Sequence, residues 1–262
     1  MDDATFADLF GTDILLHYDA SDAASLFTDT GGTSAASDGN EVKCWKSQSN
    51  ASLAVNLTNS AGPTYRSNYA SSGYPALEFD GTNDALLNTS TGLTTSQKVF
   101  ILAAFKSLNS FGTVWARGNT SVWSRSYYGA SSENIQQSAG GDVSITAGLA
   151  AASRVSAYVI GSGHIQIDAL GYSAGSQGTG LPASLTGAFT VGALNTGSLS
   201  QFGNMAFHEI MVISAGCEWG QVIRGAKLMR TKWGVTDPNN TPQVAGGTSG
   251  FTGLSGVGRL GT

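Results

Sequence analysis

Y-P-A-L-E-F-D-G-T-N-D-A-L-L, residues 74–87, combines a strand, a turn and a second short strand. Leu77 and Phe79 alternate with their neighbours, which is the two-residue period of a β-strand with one apolar face. Asp80 and Gly81 then supply the turn, because glycine tolerates a positive φ and aspartate can hydrogen-bond to its own backbone. The segment therefore predicts β-structure on both sides of a tight turn.

Two further stretches lie near the two ends of the chain. Residues 16–25 have the sequence L-H-Y-D-A-S-D-A-A-S, and the first strand is predicted from Ile14 to Tyr18. Residues 209–234 hold a strand followed by a helix that ends in R-T-K-W-G. The helix is predicted within residues 218–233, where apolar residues recur on one face at steps of three and four. Those residues are Val222, Ala226, Met229 and Trp233.

In order and spacing these pieces resemble the LamG-like jelly roll of the concanavalin A-like lectin and glucanase superfamily, in its microbial and bacteriophage variety. The matching pieces are Y-D-A-S-D at 18–22, Trp45 to Asn50, G-P-T-Y at 62–65, Pro75 to Asp84, and the strand and helix from Glu209 to Gly234. The resemblance spans residues 13–235. It implies an all-β fold, a two-sheet antiparallel jelly-roll sandwich with one packed C-terminal helix.

The predicted organisation is one domain with an extension at each end. Residues 1–12 form an N-terminal arm or short helical turn, residues 13–235 the LamG-like sandwich, and residues 236–262 an extended, glycine-rich arm. Lys98 to Lys106 is a near-continuous apolar run, which predicts a strand buried on both faces in the middle of a sheet. Other strands are predicted at 42–45, 53–57, 113–116, 121–128, 143–146, 154–160, 164–168, 188–193 and 205–213.

Composition narrows the possible partners. The 262 residues include only 13 Lys and Arg and carry a net charge of −5, which argues against nucleic-acid binding because that binding requires a cationic face. No run of 18 apolar residues is present, so no membrane-spanning helix is predicted. The start, M-D-D-A-T-F-A-D, has no basic region followed by an apolar run, so no secretory signal peptide is expected.

The C-terminal arm cannot build a core of its own, because its apolar residues stand isolated between glycines. They are Val244, Phe251, Leu254, Val257 and Leu260. We expect this arm to order against a neighbouring subunit, either a copy of this chain or another protein of the same particle. The alternative is that it folds back along its own sandwich.

One pair of predicted strands favours a binding surface for a glycan or a protein partner. Strand alternation places Trp123, Arg125 and Tyr127 on one face, while Trp115 and Arg117 share a face of the preceding strand. Aromatic rings beside an arginine suit a sugar ring or a partner surface. The alternative places the tryptophans in the core and the arginines in solvent.

The sequence also offers residues for a metal site and for a catalytic site. Asp80, Asn83 and Asp84 offer oxygen ligands for Ca²⁺, as do Asp19 and Asp22, but both groups also fit Asx turns. No other cofactor is predicted. Glu78 and Asp80 have the alternate spacing of paired glycosidase carboxylates, yet they match a variable position and a turn of the family pattern, so no catalytic residue is predicted.

The remaining reactive side chains favour structural roles. His17, His164 and His208 are predicted to be polar strand residues, with His208 and Glu209 on opposite faces of one strand. Cys44 and Cys217 are expected to be buried free thiols, with a disulfide as the alternative.

The resemblance implies a non-enzymatic structural protein of a bacteriophage virion. Such a protein is a capsid decoration or a tail or fibre component that mediates assembly and surface attachment, made in the host cytoplasm and carried on the particle. A soluble or secreted glycan-binding lectin-like module is the second hypothesis, and a glycoside hydrolase is the third.

Overall fold

A computed structural model describes most of the chain up to Val235. The described residues are 5–49, 56–71, 73–88, 99–108, 111–118, 123–129, 132–137, 140–146, 153–161, 164–169, 172–176, 188–196 and 198–235. The predicted assembly arm, with Val244, Phe251, Leu254, Val257 and Leu260, lies outside them.

The described chain is built mainly from β-strands. In chain order they are β1 (Ile14–Asp19), β2 (Leu26–Phe27), β3 (Cys44–Trp45), β4 (Leu57–Thr58), β5 (Thr64–Arg66), β6 (Ala76–Asp80), β7 (Leu86–Asn88), β8 (Val99–Ser107), β9 (Gly112–Gly118) and β10 (Trp123–Tyr128). They continue with β11 (Ser132–Gln137), β12 (Gly140–Thr146), β13 (Ser153–Gly161), β14 (His164–Ala169), β15 (Tyr172–Ser176), β16 (Ala188–Val191), β17 (Leu194–Asn195), β18 (Leu199–Ser200) and β19 (Asn204–Ile213).

Two α-helices, α1 (Phe6–Phe10) and α2 (Trp219–Lys232), accompany these strands. Helix α1 is the short helical turn foreseen near the N-terminus, and Thr5 caps it. Neither helix in this part of the chain has the length and the apolar run needed to cross a bilayer.

The strands form two antiparallel sheets. Sheet A has the order β15-β14-β13-β8-β19-β6-β5, with β1 paired to the second half of β19. Sheet B has the order β12-β11-β10-β9-β16-β7-β4-β3-β2, and β17 and β18 form a separate small hairpin. The predicted all-β, two-sheet sandwich is therefore confirmed.

The core lies between the two sheets. Strand β8, predicted as a central strand, pairs with β13 and β19, and eight of its nine residues are buried. Trp45 of sheet B reaches across to Tyr18 and Phe207 of sheet A, with ring centroids 5.5 and 6.3 Å away. Aromatic contacts of this kind stabilise a sandwich beyond the area that they bury.

The segment that links β6 to β7 crosses from one sheet to the other. Strand β6 belongs to sheet A and β7 to sheet B, so the two strands do not form a hairpin. Gly81 makes the crossing at φ 77°, and a Cβ there would lie 2.7 Å from the Cβ of Asn204. The turn therefore requires glycine for both its backbone angle and its space.

Helix α2 packs on the outer face of sheet A, over β8 and β13. Its predicted apolar face, which comprises Val222, Ala226, Met229 and Trp233, is buried. Arg224 and Lys227 are exposed, whereas Arg230 is buried at 7% exposure. Gly225 lets the helix approach closely, because a Cβ there would lie 2.5 Å from Phe10 Cζ and 3.1 Å from Leu102 Cδ1.

Several strands were not predicted. Strand β11 has the sequence S-E-N-I-Q-Q and β15 the sequence Y-S-A-G-S, neither of which shows a clear apolar period. The predicted strands at 113–116, 154–160 and 205–213 are present and slightly longer than expected. Strands β13 and β14 are antiparallel neighbours, and Gly161 pairs with His164.

Gly225→Ala is expected to lower the free energy of unfolding by about 1–3 kcal/mol, because the buried Phe10 ring leaves no room for the methyl group. Gly220→Ala in the same helix is the control, since a Cβ there meets nothing within 4 Å. Its greater helix propensity is expected to add about 0.5–1 kcal/mol. Urea unfolding measures both variants, and equal stability of the two would contradict the close packing.

Candidate functional site

The strand β1, the strand β19 and the end of helix α2 meet in a polar cluster on the outer face of sheet A. Asp19 on β1 pairs directly with Glu209 on β19. Glu209 is fully buried, and His17 Nε2 lies 2.6 Å from its Oε1. Since a carboxylate can only accept, the imidazole donates this hydrogen bond.

The end of helix α2 supplies the other donors of the cluster. Lys232 Nζ donates to Glu209 Oε2 at 2.9 Å and also to Asp19 Oδ2. Trp233 Nε1 donates to Glu209 Oε2 at 2.6 Å. The buried carboxylate of Glu209 thus receives three donors, two of them from the K-W-G segment.

Asp19 is held by the same lysine and by its own loop. Its Oδ1 accepts from the backbone N–H and the hydroxyl of Ser21, both within 2.7 Å. Burial acts to raise the pKa of Asp19, but the hydrogen bonds from Lys232 and Ser21 outweigh it and hold the pKa below its ordinary value. Asp22 is engaged elsewhere, because it accepts from Ala24 N and Gln48 Nε2.

His208 also contacts this cluster, contrary to prediction. The pairing register shifts between Phe207 and Glu209, so strict alternation is not kept at His208. Its ring stacks on Trp233 at 4.9 Å, and Nδ1 donates to the Pro75 carbonyl at 2.8 Å. Burial lowers the pKa of His208. His208 and Glu209 therefore both contact the indole ring of Trp233.

The cluster has the ligands of a metal site but already contains a cation. Ligand atoms of His17, Asp19 and Glu209 lie within 4.8 Å of one another. Lys232 Nζ bonds to both carboxylates and supplies the positive charge that a metal ion would bring. The cluster is therefore suited to holding helix α2 against β1 and β19. It could not be predicted from the sequence, because the residues that form it lie far apart in the chain.

Trp115 and Arg117 share a face, as predicted, but it is the buried inner face of sheet B, so these two do not form the predicted binding surface. Trp115 is fully buried and packs against Tyr158 of sheet A at 5.4 Å. Arg117 is 2% exposed, and burial lowers its pKa to about 10. Trp115 pairs with Ser126, and the Ser126 hydroxyl donates to the Tyr158 hydroxyl of sheet A, so this side of β9 faces the core. Arg117 lies two residues further along the same strand and therefore faces the core as well.

Arg125 and Tyr127 lie on the outer face of sheet B. Arg125 is 6% exposed; Gln136 Oε1 accepts from its Nε at 2.8 Å, and its guanidinium lies 4.5 Å from the Tyr127 ring centroid. Phe111 packs against Tyr127 at 5.6 Å and is 43% exposed. Trp123 starts strand β10, but its side chain lies outside the described residues.

The predicted calcium ligands lie at the turn after β6. Asp80 Oδ1 accepts from Thr82 N at 2.7 Å and from Asn83 N at 3.2 Å, which is the Asx turn proposed as the alternative. Asp84 Oδ2 accepts from Asp80 N at 2.9 Å. Burial raises the pKa of Asp84 to about 6, helped by nearby acidic groups. Backbone amides thus donate to both carboxylates and close the turn.

Glu78 and Glu133 are both bound in ion pairs. Arg66 Nε donates to Glu78 at 2.7 Å. Glu133, not singled out in the sequence, is fully buried between the sheets, where Ser156 donates to it at 2.9 Å, Tyr158 also donates, and Arg154 lies 3.5 Å away. Burial raises the pKa of Glu133.

Both cysteines, Cys44 and Cys217, are free and buried, as predicted.

Comparison with known proteins finds no matching protein-family model and no matching curated protein. Among solved structures, the mouse laminin α1 chain domains LG4-5 have a TM-score of 0.46 and 14% identity, over 60% of this chain and 44% of that chain. The chain thus spans less than half of that laminin structure.

Two smaller structures are similar over about half of this chain. The Ruminococcus gnavus IT-sialidase CBM40 bound to α2,6 sialyllactose has a TM-score of 0.43 and 11% identity, over 50% of this chain and 84% of that chain. The heptameric SAP-like pentraxin from Limulus polyphemus has a TM-score of 0.42 and 13% identity, over 52% and 73%. These neighbours have lectin-like jelly-roll folds.

Lys232→Met is expected to lower the free energy of unfolding by about 2–4 kcal/mol, because it leaves Asp19 and Glu209 without their shared cation. Lys227→Met, at an exposed position of the same helix, is the control and should change stability by no more than about 0.5 kcal/mol. Urea unfolding at pH 7 measures both, and equal values would show that the cluster does not fasten the helix.

The free energy of unfolding measured as the pH is lowered gives a second test with the same variants. The folded-state pKa of Asp19 lies below its unfolded value, so its contribution is present above about pH 4 and is lost as the pH falls through the lower folded-state pKa. Because Lys232 helps to depress that pKa, the loss of stability on acidification should be smaller in Lys232→Met than in the parent.

Proposed function

We propose that this protein is a non-enzymatic, lectin-like binding module. The observation that carries the proposal is the exposed aromatic patch at Phe111 and Tyr127 on the rim of sheet B. Phe111 and Leu108 are the two large hydrophobic side chains that stand exposed in the described part of the chain, at 43% and 36%. We assign to this exposed aromatic surface the role of an interaction site.

The Tyr127 ring of the patch is fixed in position by the side chains of Arg125 and Gln136. Arg125 is too buried to reach a ligand itself, but its guanidinium lies against the Tyr127 ring and is bonded by Gln136. Tyr127 and Phe111 are tilted by 49° to each other. A sugar ring can stack its apolar face on such rings, at little cost in side-chain entropy because the tyrosine is already fixed.

Several carboxylates of the described chain support the non-enzymatic part of the proposal. Glycosidase chemistry needs two carboxyl groups facing a shared cleft. Glu78 is paired with Arg66, Glu209 and Asp19 share Lys232, and Glu133 is enclosed between the sheets. These groups are committed to hydrogen bonds that hold strands or the helix in place.

The setting we propose is a bacteriophage virion, with the protein as a capsid decoration or a tail or fibre component. The support for it is the resemblance of residues 13–235 to the LamG-like pattern of such proteins. The arm at 236–262 would make the contact with other virion proteins or with copies of this chain. Cell-surface glycan would be the ligand of the aromatic patch.

Binding to an array of bacterial polysaccharides tests the binding proposal. The parent is expected to give a signal that falls about tenfold in Phe111→Ala and in Tyr127→Ala, which corresponds to about 1.4 kcal/mol for each ring. Tyr69→Ala, which changes a partly exposed tyrosine in the 3₁₀ turn between β5 and β6, is the control and should bind like the parent. A parent without signal, or variants that bind normally, would refute the role of the patch.

Mass spectrometry of purified phage particles tests the virion setting. We expect the full chain at a fixed copy number per particle, and a chain that ends at Val235 to be incorporated at a much lower copy number. Purified particles that lack the protein would refute the virion setting while leaving the glycan-binding proposal intact.

A further inference from the structure

A groove of about 600 Å³ lies between helix α1 and strand β1. Phe6 and Ile14 supply its apolar surface, and Thr12, His17 and Gln48 bring polar groups. The described residues that line it include no Lys, Arg, Asp or Glu. Its volume falls within the range of small-molecule sites.

His17 joins this groove to the polar cluster. Its Nε2 donates to Glu209, so the other ring nitrogen, Nδ1, is the atom left for a ligand, and in this tautomer it accepts a hydrogen bond. Within the described chain Nδ1 makes no hydrogen bond, and the side chain is 15% exposed. The ring is fixed in place, because Glu209 is held in turn by Lys232 and Trp233.

Phe6 gives the groove an aromatic wall next to this acceptor. Its ring meets the His17 ring edge to face, with the centroids 6.1 Å apart. An aromatic face beside a fixed acceptor and hydroxyl-bearing side chains suits a ring that carries both C–H and hydroxyl groups. A charged ligand would find no counter-ion among the described lining residues, and burying an unpaired charge is costly.

We propose that this groove binds a neutral sugar of one or two rings, with Phe6 stacking on a ring face and His17 Nδ1 accepting from a ligand hydroxyl. The inference rests on the proposed lectin-like function and assigns to it a second site. Glu209 acts through His17 as a positioning residue, since it selects the tautomer that leaves Nδ1 as an acceptor. With the Phe111 patch on sheet B, the sandwich then offers two binding sites.

The test is saturation-transfer NMR and calorimetry on the full chain, with glucose, galactose, mannose, N-acetylglucosamine and N-acetylgalactosamine as probes. At least one sugar is expected to bind the parent, and to bind at least tenfold more weakly to Phe6→Ala and to His17→Gln. The glutamine keeps a donor for Glu209, and urea unfolding verifies that each variant is folded. Should His17→Gln fail to fold, Phe6→Ala still decides the matter, because Phe6 is partly exposed on a short helix.

Tyr127→Ala separates this proposal from the broader function. Unchanged sugar binding in Tyr127→Ala, together with loss in Phe6→Ala, supports the groove. Loss in Tyr127→Ala with binding kept in Phe6→Ala overturns the groove and leaves the lectin-like function in place. A parent that binds none of the five sugars also overturns the groove, while the polysaccharide array still decides the function of the patch.

Discussion

The fully buried carboxylate of Glu209 is the constraint on which the architecture of sheet A depends. A buried carboxylate must be surrounded by donors, because an unpaired one is too costly to keep. Its donors come from the first strand, through His17, and from the end of helix α2, through Lys232 and Trp233. The two ends of the described chain are thus joined at the middle of one sheet, which explains why D-A-S-D and K-W-G occur together in one sequence.

The parts of the fold that could be predicted are the strands and the helix whose apolar residues follow one regular spacing and whose burial is uniform along their length. Strand β8 is enclosed by a strand on either side and by a layer on either face, so its sequence is continuously apolar. Helix α2 covers one sheet face, so its apolar residues recur with the helical period. Strands β11 and β15 could not be foreseen from the sequence. Their residues are mostly polar or small, so they pair with neighbouring strands through the backbone but show no alternation of apolar and polar side chains.

The candidate site was harder to predict, because alternation along a strand reveals which residues share a face but not which face is buried. Trp115 and Arg117 do share a face, as expected, and it is the inner one. For the same reason the buried polar network of sheet A could not be predicted. Arg154, Ser156 and Tyr158 occupy alternate positions of β13, and three polar side chains at this spacing are typical of a strand face that is exposed to solvent. Their burial follows from Glu133, which approaches from the other sheet and was not recognisable as their partner in the sequence.

The fastening of helix α2 also governs how the molecule responds to mechanical load. A pull applied beyond Val235 reaches Trp233 and Lys232 before the rest of the helix. These side chains are anchored to β19, which is paired to β8 along one edge and to β6 and β1 along the other. Tension at the C-terminal end is therefore shared among three neighbouring strands, so the sandwich resists being peeled open from that end.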